Sequence, residues 1–206
     1  MTLRLNGSTS GYVEIDAPAT AGSNTLVLPT GNGTNGQYLQ TNGSGALSWA
    51  TVSGVSVAVI ADRKTSGTNG GTFTSGDWRT RDLNTEVSDT NSIVSIASNQ
   101  FTLVAGTYLI QWVAPANGVA NHTSRLYDIT GATIVAQSTN AMDYPDASLP
   151  ADEGPSIGST VITIGSSNTY EIRHHGSTTR STDGFGYANA LGPYEQYTTV
   201  TILKVA

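Results

Sequence analysis

Thr107-Tyr-Leu-Ile-Gln-Trp-Val113 is the stretch on which the fold turns. Side chains of an extended strand alternate between two faces, so Tyr108, Ile110 and Trp112 share one side and Leu109, Gln111 and Val113 the other. One face is wholly apolar and the other nearly so. That is the pattern of a strand covered on one side and largely covered on the other, as in two packed sheets. On either side, β-branched and aromatic residues recur in strand-length segments: 55–62, 77–81, 92–96, 101–104, 107–114, 125–128, 133–138, 159–164, 168–174, 185–191 and 197–205. Gly, Asn and Ser clusters separate them. Apolar positions at i, i+3, i+4 and i+7 are not sustained anywhere over eleven residues. The chain reads as all-β.

Composition narrows the chemistry. The 206 residues include 23 Gly and no Cys, so disulfides, thiolate metal sites and cysteine nucleophiles are excluded. Nine Lys and Arg against fifteen Asp and Glu give a net charge of −6, and the cations are scattered. No basic stripe exists to neutralise phosphates, so nucleic acid is not an expected partner. The apolar runs 55–61 and 109–114 are far shorter than the roughly 20 residues that span a bilayer. Nor does Met1-Thr-Leu-Arg-Leu-Asn-Gly7 carry an apolar signal core. No membrane insertion is expected.

The first 53 residues differ from the rest, and the boundary is placed between residues 1–53 and 54–206. Short β-like pieces at 3–5, 12–16, 25–29, 37–40 and 46–52 alternate with Gly-, Pro- and Asn-rich turns. The stretch from Gln37 to Trp49 reads as a hairpin, with Asn42-Gly43 suited to the positive φ angles of a tight turn. The large apolar residues of this arm are too few to offset the conformational entropy of ordering some fifty residues. If the arm is ordered, its apolar faces are therefore expected to be covered from outside the monomer, with Leu3, Leu5, Val13, Ile15, Leu26, Leu28 and Trp49 as the docking residues; the alternative is a flexible leader.

Phe101-Thr-Leu-Val-Ala-Gly-Thr-Tyr-Leu-Ile-Gln-Trp112 resembles the signature of complement-type globular heads, related to tumour necrosis factor. There a Phe precedes Gly-x-Tyr and alternating large apolar residues; here the Phe–Gly spacing is one residue short and Ile110 stands where an aromatic is usual. The segments from Gly71 to Glu86, Asn99 to Leu103, His122 to Thr130, Gly184 to Ala188 and Tyr197 to Val205 look like jelly-roll heads of tailed-phage fibres and related virion proteins. The stretch from Gly11 to Pro29, with Gly36 to Trp49 after it, is similar to segments that precede knobs in marine and cyanobacterial phage fibres. These resemblances imply a homotrimer with an N-terminal extended β-arm or stem and a C-terminal jelly-roll β-sandwich. They place Tyr108, Trp112, Tyr170, Phe185, Tyr187 and Tyr197 on strands that include the sheet facing neighbouring subunits. Rigid aromatics are enriched at interfaces, so these six are the candidates for trimer contacts. Leu109, Val113 and Val161 are assigned with Phe73, Phe101 and Leu126 to the core.

Few residues suggest chemistry. His174 and His175 are adjacent and point to opposite faces of a strand, while His122 is expected in a loop. They read as satisfied polar histidines, with a metal on a three-fold axis as the sharper alternative. The segment Asp143-Tyr-Pro-Asp-Ala-Ser-Leu-Pro-Ala-Asp-Glu153 holds four carboxylates but lacks the ligand spacing of the common calcium loop. It reads as a solvated loop, with receptor or partner contact through Asp143, Tyr144, Asp146, Asp152 and Glu153 as the functional reading. Carboxylate pairs such as Asp82/Glu86 and Asp152/Glu153 fit glycosidase chemistry only by number. No nucleophile elbow, zinc-protease motif or phosphate loop is present.

The expectation is a non-enzymatic virion protein of a phage particle surface, without cofactor, metal or catalytic residues. It forms a homotrimer, contacts other virion proteins through its arm and presents a knob for attachment to a host surface glycan or protein. Two other readings are a capsid decoration protein of the same fold, bound to the shell through the arm, and a polysaccharide-degrading spike.

Overall fold

The computed structural model describes residues 3–52, 54–143 and 154–205. The chain divides into two units, Met1–Ser53 and Gly54–Ala206.

The first unit is built from two separate hairpins. β1 (Leu3–Asn6) pairs antiparallel with β2 (Tyr12–Ile15), and β3 (Gln37–Thr41) with β4 (Leu47–Thr51). The second hairpin closes where the Asn42 side chain accepts the amides of Ser44 (2.8 Å) and Ala46 (3.2 Å), and Gly43 and Gly45 take φ of +81° and +92°. A bulkier residue is disfavoured at such angles. The expected strand at 25–29 is reduced to a single bridge, Val27 to Ala46. No described residue of this unit is buried.

The second unit is a sandwich of two antiparallel sheets. Its strands are β5 (Ser56–Thr65), β6 (Arg79–Thr80), β7 (Thr85–Asp89), β8 (Val94–Ala97), β9 (Gln100–Leu103), β10 (Gly106–Ala114), β11 (Ala120–Asp128), β12 (Thr133–Gln137), β13 (Ala141–Asp143), β14 (Ser156–Ile164), β15 (Asn168–Gly176) and β16 (Tyr194–Lys204). One sheet runs β14-β10-β16-β5-β7 and the other β12-β11-β15-β9-β8, with β13 beside β11 and β6 beside β15. The pairs β5–β16, β9–β15, β10–β14 and β11–β12 nest one inside the next. That nesting is the wrapped double Greek key of a jelly roll. No helix occurs among the described residues.

Tyr108, Ile110, Trp112 and Ala114 project from β10 into the core, where they meet Ile60, Phe101, Leu103, Leu126, Ile172, Val200 and Ile202. The largest buried side chain is Trp112, 1% exposed, whose indole N–H donates to Ser124 Oγ at 2.8 Å. Gly158 lies opposite Trp112 in register, and a Cβ there would collide with the indole. The Tyr108 hydroxyl donates to the Val104 carbonyl at 2.8 Å.

The expected strand 185–191 is a loop. Gly186 and Ala190 have φ of +138° and +55°, and the amides of Asn189 and Ala190 donate to the Glu195 carboxylate instead of a neighbouring strand. His122, expected in a loop, lies within β11.

Candidate functional site

The alternation of β10 is as expected, but the two faces exchange roles. Leu109, Gln111 and Val113 point out of the sandwich, and so do Ile157, Ser159 and Val161 of β14. Val161, assigned to the core, is 65% exposed, and Val113 is also exposed. Tyr108, Trp112 and Tyr170, assigned to a trimer interface, are enclosed by their own chain and have almost no surface to offer a neighbour. Side-chain size decides the matter: the space between sheets takes the large rings, with Gly158 making room for the largest. Tyr197 is buried too, its hydroxyl donating to the Thr68 carbonyl at 2.7 Å. Phe185 is half-buried against Phe73, with ring centroids 5.2 Å apart. Among the six aromatics Tyr187 is the exposed one, at 61%.

What the five-stranded sheet presents outward is a surface without charge over three rows of its register. Val161, Leu109, Leu203 and Val57 lie side by side across β14, β10, β16 and β5. Ser159, Gln111, Thr201 and Val59 form the next row, and Ile157, Val113 and Thr199 the third, which ends at the buried Ala61 of β5. An antiparallel sheet that faces water normally alternates apolar inward with polar and charged residues outward. At one end of this face a cleft of about 600 Å³ opens between Val113, Pro115, Tyr187, Leu191 and Tyr194.

In the first unit, the β1–β2 register puts Leu3, Leu5, Val13 and Ile15 on one face of the ribbon and Arg4, Asn6, Tyr12 and Glu14 on the other. The polar face is tied by the Arg4–Glu14 pair at 2.5 Å, with the Arg4 guanidinium 4.1 Å from the Tyr12 ring centre. The apolar face is exposed, as are Leu26 and Leu28. Trp49 differs: its indole N–H donates to the Gly31 carbonyl at 2.6 Å and its ring packs against Gly33, so it ties its hairpin to the segment that precedes it.

Beneath the seven-stranded sheet, β11 and β15 bring together two histidines 52 residues apart. His122 Nδ1 and His174 Nε2 are 2.9 Å apart and share one hydrogen bond. Phe73 meets His174 edge-on at 5.6 Å, and Phe185 stacks on it at 6.4 Å. Arg81, fully buried, lies under the Phe185 ring and donates to Thr198 Oγ1 (2.6 Å) and the Phe185 carbonyl (2.8 Å). Burial pushes the His122 imidazole down to about 4, with the Arg81 charge adding to it and a hydrogen bond to the Gly154 backbone opposing. His174 is lowered by burial first, then by Arg81, His122 and His175. Both rings are held neutral. Each spends a nitrogen on the other, and no three His, Asp or Glu side chains converge among the described residues.

Asp143 of the acidic segment is buried at the end of β13, where its carboxylate accepts the Gly118 amide. It fastens a loop and does not face solvent. Tyr144, Asp146, Asp152 and Glu153 lie outside the described residues. Of the carboxylate pairs, Asp82 is bound by Lys64 at 2.7 Å and by the Asn99 amide at 3.1 Å.

No family model matches the chain, and no curated protein matches it. Among solved structures, the chain is similar to murine APRIL (TM-score 0.47, 8% identity, covering 74% of this chain and all of that one). It is also similar to the globular domain of a zebrafish complement 1qA protein (0.41, 15%, 74% and 96%) and to the Eiger TNF of S. frugiperda (0.46, 12%, 74% and 93%).

Proposed function

We propose that the chain is a non-enzymatic structural protein of a phage virion, trimeric, with the arm docked on other virion proteins and the jelly-roll knob displayed for attachment to a host surface. The observation that carries the assembly is the uncharged outer face of the five-stranded sheet, with Leu109, Val161, Leu203 and Val57 in one row. An outward apolar row within an uncharged face favours a protein contact, and identical copies of one uncharged surface meet without charge conflict. Leu109, Val113 and Val161 replace the buried aromatics as the interface residues. The arm supports docking independently, since the ribbon's apolar face (Leu3, Leu5, Val13 and Ile15) has no cover within its unit and a two-stranded ribbon is marginal by itself. The virion assignment rests on the resemblance of the arm and head segments to phage fibre proteins. Three copies of a knob, repeated over a particle, turn weak contacts into strong adhesion.

Light scattering of the purified protein is expected to give three times the 21.4 kDa chain, and Leu109→Asp to give monomers that still fold. A wild-type protein that stays monomeric at micromolar concentration overturns the assembly. Labelling on particles separates the two virion readings: signal on the tail or its tip supports attachment, and signal spread over the shell supports decoration.

A further inference from the structure

The outward face of the seven-stranded sheet is the opposite of the uncharged one. Here His175, Trp78, Arg125, Tyr127 and Arg173 stack into a continuous row drawn from β11, β15 and the residues ahead of β6. The Arg125 guanidinium lies 3.8 Å from the Trp78 ring centre and 5.3 Å from that of Tyr127. Arg173 covers Tyr127 at 3.5 Å, and His175 meets Trp78 at 5.5 Å. Stacking on rings holds a guanidinium flat while leaving its N–H edge available.

Charge makes the row unusual. In register, Arg125 faces Arg173 directly across β11 and β15. Like charges so placed destabilise a sheet, and this chain has only nine Lys and Arg in all. Arg173 is compensated by Glu171, whose other oxygen accepts from Gln100 at 3.2 Å. Arg125 is not: it makes no hydrogen bond or ion pair with a described residue, and its Nε is buried without an acceptor. Burial and Arg173 both press its pKa down, against weaker support from Tyr127, Asp77 and Glu171. Of the two carboxylates near this pair of arginines, Glu171 is bonded to Arg173 and Asp77 acts on Arg125 only through space, so the Arg125 guanidinium has no direct anionic contact with a described residue. Around Arg125 stand hydroxyl and amide side chains: Thr123 on its own strand, Gln137 opposite it on β12 and Thr80 opposite Arg173 on β6.

We propose that this row binds an acidic polysaccharide, the two terminal amino groups of the Arg125 guanidinium taking a sugar carboxylate while Trp78, Thr123 and Gln137 meet the ring and its hydroxyls. Guanidinium and carboxylate match as a two-pronged, charge-assisted pair. A densely charged polyphosphate does not fit a chain of net charge −6 with two cations on this face. The inference deepens the attachment reading by naming a ligand class, but its test needs only the purified full-length protein.

Calorimetric titration with galacturonic acid oligomers and with oligosialic acid, against neutral dextran, reads the site. At low salt at least one acidic oligomer is expected to bind and dextran not, and raising salt from 20 to 200 mM is expected to weaken binding. Arg125→Gln is expected to weaken it at least tenfold with scattering mass and melting temperature unchanged, and Arg125→Lys to restore part of it. Failure of both acidic oligomers to bind, equal binding of dextran, or undiminished binding by Arg125→Gln overturns the proposal. A trimer that binds acidic sugar yet does not block particle adsorption removes the attachment reading and leaves this site standing. One that blocks adsorption while ignoring these sugars does the reverse.

Discussion

The ribbon β1–β2 and the core pair β10–β14 use the same alternation and meet different fates. In the ribbon, Leu3 faces Ile15 and Leu5 faces Val13, and all four are exposed. In the core pair, Tyr108 faces Ile162 and Trp112 faces Gly158, and a second sheet closes over them. The difference lies about 10 Å away, the spacing at which a packed sheet would sit. Alternation determines which residues share a face; it does not determine whether anything covers that face. A covered face contributes to the stability of its own chain, and an uncovered one is available to another.

Removing the covered side chain has the largest expected consequence. Trp112→Ala leaves a cavity between the sheets and removes one of the hydrogen bonds to the Ser124 hydroxyl, and is expected to cost about 3–5 kcal/mol in urea unfolding. A cost under about 1 kcal/mol would mean that β10 is not packed as described. Gly158→Ala attacks the same contact from the partner strand by overfilling it, and is expected to cost up to about 3 kcal/mol. The double variant Gly158→Ala with Trp112→Phe is expected to recover part of the loss, since the clash is with the indole.

Acid is the next largest effect. The folded-state pKa of His122 lies below its unfolded value of 6.5, at about 4, so the unfolded chain takes up protons first as pH falls. The stabilisation is complete above pH 6.5 and is lost progressively between 6.5 and about 4, by on the order of 2 kcal/mol once partial solvent screening is allowed for. His174 is shifted in the same direction. His122→Asn is expected to flatten the melting temperature over this range. A wild-type melting temperature constant from pH 7 to 4.5 would show that the imidazole pair opens to solvent freely. The smallest effect belongs to the arm. Leu5→Ser on the bare ribbon face is expected to change the unfolding of the knob by less than about 0.5 kcal/mol. Under the proposed function it is expected to reduce incorporation into particles. A larger change in knob stability would erase the contrast between the two regions.

The sandwich was legible because strand-length β-branched segments and turn glycines recur in step, and because Thr107–Val113 has no helical stripe. Which face of that strand is interior was not legible, since both are apolar. The deciding facts are ring size and Gly158, which sits 46 residues further along. The stretch from Phe185 to Leu191 has strand-like composition, but Glu195 draws its amides into a loop. The polar strand Thr85–Asp89, at the edge of its sheet beside β5, carries almost no apolar signal and went unread. The His122–His174 contact exists only because the nested pairing lays β11 beside β15. The Arg125 row had a trace in the sequence: Arg125-Leu-Tyr127 and Glu171-Ile-Arg173 alternate charged or aromatic groups around one apolar residue. Nothing local says that the two segments pair.

Nested pairing also bears on how the knob carries mechanical load. β5 follows the arm directly in sequence and is clamped on both sides, by β16 over a register from Ser56–Lys204 to Thr65–Tyr194 and by β7. Tension entering β5 at its N-terminal end would load the ladder bonds on both flanks together in shear, where peeling from an edge would break them one at a time. The strand that opens the second unit thus lies in the interior of its sheet, not at an edge.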